Sequence, residues 1–252
     1  MIIVDSKEYI KMTTQHDHAI FAGEMAKYFS ENLFMEEQYK ESVLIAIREH
    51  DRAWIGLDDI PIWNDQKNVP FSFMDYPLYP KIVMYTKGIN EVEKINKYAA
   101  LICSIHYTSF GHLRDSKHQA CINYIQHERK RQKRLMDDLH YPNEEIIQRH
   151  FKLLQLCDEL SLYVCLNEEG SKKREEHPWY IDGFETLIDN QKFTAQWLSQ
   201  TEIKIDPFPF TDNFKATLKC KDVSKDLREQ IGIHSAYNQT SHTIREYKFV
   251  RR

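Results

Sequence analysis

Four residues of metal-ligating type stand inside apolar, helix-patterned stretches of this 252-residue chain: His18, the adjacent pair His50 and Asp51, and Asp158. An unpartnered polar or charged side chain in such a stretch is costly to bury. Imidazole and carboxylate together suit divalent transition metals, and two of each make most of a coordination shell. The pattern predicts four segments drawn together around an ion of the Fe, Mn, Zn, Ni or Co kind, with two ions as the alternative to one.

Each residue carries its own argument. Neighbours on a straight helix point about 100° apart, so His50 and Asp51 can serve one ion only at a helix end. The run ESVLIAIREHD breaks into AWIGLDD directly after them. His18 lies in HAIFAGEMAKYF, where Ala19, Ala22, Gly23 and Ala26 leave one side thin enough for a second helix. A capping or core histidine is the competing reading of His18, and His16 is a competing ligand. Gln15 and Asp17 fit better as polar neighbours that orient a ligand. In LLQLCDELSLYVCL the only charges are Asp158 and Glu159; Glu159 can be solvated on another face, whereas Asp158 lies about a turn from Leu154 and Leu162. His106 ends the apolar run YAALICSIH, with His112 and His118 beyond it. These three are candidates for a second metal or for substrate, although a lone His beside an apolar face is more often a satisfied core residue.

The elements that must position these residues are mostly helical. Residues 1 to 12 read as a short strand or hairpin, and Thr13 or Thr14 can cap a helix to about Leu33. A second helix is expected from about Glu36 to Arg52. Residues 53 to 80 are rich in Pro and aromatics, and Trp54, Trp63, Phe71, Phe73 and Tyr76 could pack in the core or wall a pocket. Helix is expected again over 78–109 with a break near Gly88, over 115–138, and from Pro142 to about Leu166. The charge-dense QHERKRQKRLMDD reads as a solvated face. EIKIDPFPF, FKATLKCKDV and TIREYKFVRR alternate as half-buried strands do. The expected fold is therefore mainly α: a helical bundle over 1–199 with a small antiparallel β appendage over 200–252, which the N-terminal segment could join, α+β overall.

The gross composition excludes several classes. A net charge of -4 and a pI near 6.3 offer no general attraction for nucleic acid or membranes. No run approaches the length of a membrane-spanning helix. Five Cys without CxxC spacing fit a reducing, cytoplasmic setting. A homo-oligomer is compatible with all of this.

In order and setting, HAIFAGEMA, REHD and LCDELSL resemble the ligand-bearing helices of the HD superfamily of metal-dependent phosphohydrolases. IHYT resembles the His-bearing helix between the pair and the last Asp. The resemblance covers roughly residues 14 to 166 and looks closest to an uncharacterised bacterial HD-like family marked by QHDHA and a later PFPF. It implies a metal-dependent hydrolase of a phosphate ester or nucleotide, with His18, His50, Asp51 and Asp158 on the ion. Asp51 would also be catalytic, His106 would be a general acid or second-metal ligand, and Arg48, Arg52 or Lys81 would meet a small phosphorylated substrate. The alternatives are an HD-like diiron oxygenase, drawing on His106, His112 and His118, and a non-catalytic metal-binding sensor or interaction protein. The gap from Asp51 to Asp158 is longer than in compact members.

Overall fold

A computed structural model describes residues 1–251. The chain opens with β1 (Ile2–Asp5) and β2 (Tyr9–Thr13), then α1 (Gln15–Ala26) and α2 (Lys40–Glu49). A one-turn α3 (Ile55–Asp58) and the hairpin β3 (Trp63–Asn64) and β4 (Val69–Pro70) follow. The helical half continues with α4 (Leu78–Ile95), α5 (Lys97–Ser109), the short α6 (Gly111–Arg114), α7 (Gln119–Asp138) and α8 (Glu144–Leu166). A small hairpin, β5 (Leu187–Ile188) and β6 (Gln191–Lys192), leads to β7 (Thr194–Trp197), β8 (Glu202–Asp206), β9 (Phe214–Ser224), α9 (Lys225–Gln239) and β10 (Thr243–Val250).

Six strands form one mixed sheet in the order β1-β2-β9-β10-β8-β7. Neighbours are antiparallel except β8 and β10, which run parallel. The long β9 is the joint: Phe214 to Cys220 pair with β10, while Lys221 to Ser224 pair with β2. This corrects the expectation of a mainly α bundle with a small β appendage. The chain is α+β, and its sheet takes strands from both ends of the sequence. The patterns of β8, β9 and β10 were legible locally, but β7 and helix α9, which interrupts the expected appendage, were not, and pairing between distant strands leaves no local periodicity to read.

Helix α1 lies between the sheet and the other helices. Phe21 sits 6.1 Å, ring to ring, from both Tyr247 and Phe249 of β10. Fully burying a ring of this kind contributes about 1.5–3 kcal/mol, so this contact fixes α1 on the sheet. On its other side a Cβ on Gly23 would lie 2.8 Å from Cβ of Arg48. The thin side therefore brings α2 up against α1.

Two helix boundaries and one helix face differ from expectation. α1 stops at Ala26, and Phe29 bridges to Phe210 instead of continuing the helix. The break expected near Gly88 falls at Asn96, whose extended backbone starts α5 and whose side chain accepts from the Ala99 amide. Gly88 has another role: a Cβ there would sit 2.5 Å from Cα of Ala53. The charge-dense α7 is not wholly solvated. Glu128 and Arg131 are buried, joined at 2.9 Å, with Ser104 also donating to Glu128.

Candidate metal centre

His50 is the C-cap of α2, and Asp51, with φ near -105°, starts the following turn. The helix ends between them, so both side chains turn to one point. Thr14 caps α1 by accepting from the Asp17 amide at 2.9 Å, which places His18 one turn into that helix. Asp158 projects from the middle of α8, and His106 from the last turn of α5.

The four side chains close a ring in which imidazole nitrogens alternate with carboxylate oxygens. His18 Nε2 lies 2.9 Å from Asp51 Oδ2 and 3.7 Å from Asp158 Oδ1. His50 Nε2 lies 3.7 Å from Asp51 Oδ2 and 3.5 Å from Asp158 Oδ1. Metal bonds of about 2.0–2.2 Å put adjacent donors about 3.0 Å apart around an octahedral ion and about 3.4 Å apart around a tetrahedral one. Each of the four edges is in or near that range. His106 Nε2 stands 3.7 Å from Asp158 Oδ2, so Asp158 turns one oxygen to the ring and the other to His106. Donor atoms of His18, His50 and Asp51 fall within 4.8 Å of one another, as do those of His50, His106 and Asp158, two groupings that share His50.

The ring nitrogens are set for ligation by what holds the opposite side of each ring. His50 Nδ1 is 2.7 Å from the Ile47 carbonyl, which can only accept, so Nδ1 carries the hydrogen. Nε2 is buried and has no hydrogen-bond partner. The Ser161 hydroxyl donates to the Asp158 carbonyl, leaving its oxygen to accept from His18 Nδ1 at 2.7 Å. A neutral His18 thus aims a lone pair at a carboxylate oxygen, which is repulsive unless a proton or cation lies between them. Gln15 Nε2 and the Tyr107 hydroxyl donate to the two oxygens of Asp51, at 2.9 and 3.2 Å.

Electrostatics agree. Burial opposes charge on His50, but Asp51 and Asp158 outweigh it and hold its pKa up at about 9. Burial would raise Asp51 and Asp158 too, yet the histidines keep both carboxyls below the ordinary range. His106, buried and facing Asp158 with only one oxygen, is pushed down to about 4. Next to Asp158, burial lifts Glu159 to about 7 although the Thr186 and Glu185 amides pull the other way.

The centre opens into a cavity of about 380 Å³. Asp51, Asp158 and His106 line its inner end, and Trp54 and Phe73 of the aromatic insert form part of its wall. Trp63 instead lies under Arg228, and Phe71 packs edge-on against Tyr76. His112 is exposed at the cavity's rim, stacked beside Phe110. His118 does not join the centre: it caps α7, accepting from the Ala120 amide, and sits against Tyr79. His16 falls in neither ligand grouping, and Asp17 completes the Thr14 cap.

The three cationic candidates for phosphate do not line the cavity. Arg52 is engaged by Glu49 and Glu91, and Arg48 is exposed beside Glu49. Lys81 is buried behind the wall, donating to the Phe73 carbonyl. Sequence reasoning did not reach Ser161, Tyr107, Trp179, Tyr180 or Glu185. Ser161, one turn beyond Asp158 on the same face, carried a readable signal. The residues beyond α8 sit in a polar loop whose return to the centre no pattern announces.

Fold and site together define an α+β protein built around a buried His/Asp centre. A family profile described as "Protein of unknown function (DUF3891)" matches residues 1–225, and the chain belongs to that family. The match runs through β9 and stops at the start of α9. No curated protein and no solved structure matches the chain. The assignment to the HD superfamily is corrected on both counts: the matching family is this one, and the six-stranded sheet is not a plain HD helical bundle. No helix among the described residues is long and apolar enough to cross a membrane.

Proposed function

We propose that the centre holds a divalent transition metal and that the protein is a metal-dependent hydrolase of a small phosphate ester. The observation that carries the reading is the closed ring of His18, Asp51, His50 and Asp158, with the unpartnered His50 Nε2, at the inner end of a ligand-sized cavity. These four residues would hold the ion, while Ser161, the Ile47 carbonyl, Gln15 and Tyr107 fix their orientations. Such outer partners matter nearly as much as the ligands themselves. A divalent ion bound there supplies Lewis acidity towards a phosphoryl oxygen and lowers the pKa of a bound water.

His106 stands as a neutral imidazole at the cavity's inner end, able to add a donor beside Asp158. The lack of Lys and Arg among the residues lining the cavity favours one phosphoryl group over the polyphosphate of a nucleotide. A two-ion oxygenase is the second reading, favoured by the His50, His106 and Asp158 grouping. The test is turnover of phosphomonoester reporters by protein loaded in turn with Mn, Fe, Zn, Ni or Co. Metal-dependent release of phosphate that disappears in Asp51→Ala supports the hydrolase. Oxygen consumption without phosphate release favours the second reading, and bound metal with neither activity favours a sensor.

A further inference from the structure

The cavity beside the centre is built for positive charge. Its rings come from Trp54, Phe73, Tyr85, Phe110, Trp179 and Tyr180, and Lys and Arg are absent from its lining. Besides Asp51 and Asp158 it is lined by Glu159 and Glu185. Glu159 is held by the backbone amides of Glu185 and Thr186, at 3.1 and 3.2 Å, and not by a side-chain cation. Glu159 and Glu185 are the lining carboxylates not needed to hold an ion.

A buried acceptor at the metal end likewise lacks a donor. Gln15 lines the cavity, is only 4% exposed, and has its Nε2 tied to Asp51. Its Oε1 is thereby fixed in place, and it has no donor. Acceptors and carboxylates seek N–H donors. Aromatic faces attract cations, the more strongly when water is excluded. An organic ammonium ion satisfies both demands, whereas an anionic or purely apolar group satisfies neither.

We propose that the substrate carries a protonated amine, which this cavity receives between Glu159, Glu185 and the paired rings of Phe73 and Trp179. These rings lie 6.4 Å apart near the rim. The inference rests on the hydrolase reading only in assigning the opposite, ester end of the molecule to the metal.

The test is calorimetric titration of the full chain, metal-free and Mn-loaded, with n-butylammonium, n-butanol and butyrate. Butylammonium is expected to bind about tenfold more tightly than butanol in both states, with butyrate weakest. Glu185→Gln and Trp179→Ala, each at an exposed rim position, should each reduce that preference about threefold or more. Equal affinity for butylammonium and butanol overturns the proposal, as does a preference left intact in the double variant. Metal binding is measured separately on the same samples. Protein that prefers the amine but takes up no metal keeps this inference and loses the hydrolase reading; the reverse result does the opposite.

Discussion

His18 Nε2 lies 2.9 Å from Asp51 Oδ2 although the other nitrogen of the same ring already donates to Ser161. The Ser161 hydroxyl has one hydrogen, and it is committed to the Asp158 carbonyl. The direction of the His18 lone pair is therefore set by a residue that touches no ion. Ser161→Ala should leave the fold intact and weaken metal binding about 10- to 100-fold. Competition with a fluorescent chelator measures this, and unchanged affinity would remove Ser161 from the orienting shell.

Metal binding should depend on pH through His50. In the metal-free protein its pKa is held at about 9, above the ordinary value of 6.5, whereas a ligating imidazole must be neutral. Below about 9 a proton competes with the ion, so affinity should rise as pH climbs towards about 9, with proton release on binding. The sign for stability follows from the same shift. The contribution of His50 to the metal-free fold is complete below about 6.5 and is lost as pH rises through about 9. Titrations in buffers of different ionisation enthalpy detect the released proton, and affinity flat between neutrality and that range would contradict the assignment.

Gly88→Ala should damage a site it does not touch. The added methyl meets Ala53, two residues beyond Asp51, at 2.5 Å from its Cα. Overpacking of this kind costs about 1–3 kcal/mol. The backbone that carries Asp51 is the part able to yield, so metal affinity should fall together with melting temperature. A variant with wild-type metal affinity would show that α4 moves instead.

Glu128→Ala is the contrasting case. It removes one of the two carboxylates on buried Arg131 and leaves Glu93 at 2.8 Å, so the loss should fall short of the about 3–5 kcal/mol of a fully broken buried pair. Denaturant unfolding should record that loss while metal stoichiometry in the folded protein stays at the wild-type value. A change below about 1 kcal/mol would mean that Glu93, already 2.8 Å from Arg131, satisfies it alone.

The site was more legible in the sequence than the fold. His18, His50, Asp51 and Asp158 each broke an apolar helical pattern, and a buried polar group demands a partner whatever the surrounding topology. The end of a helix at His50–Asp51 was readable because the apolar period stops there. The sheet was legible only as local strands that the N-terminal segment could join; its extent and register were not, because Lys11 and Asp222 face each other across it with most of the chain between them. Gly88 misled for a related reason: a glycine that breaks a helix and one that admits a neighbouring backbone look alike in one dimension. Buried Glu128 and Arg131 lay hidden in a charged run because only their partners, Ser104 and Glu93, distinguish them from solvated neighbours.

The central claim, that the His/Asp ring is a metal centre, is tested most directly by metal content. Wild-type protein, His50→Ala and Asp51→Ala are purified identically, confirmed as folded by circular dichroism, and analysed by plasma mass spectrometry after exposure to equimolar Fe, Mn, Zn, Ni and Co. About one equivalent or more of a transition metal in the wild type, falling at least tenfold in both folded variants, is the predicted result. Wild-type protein that carries no stoichiometric metal, or variants that retain it in full, would contradict the account.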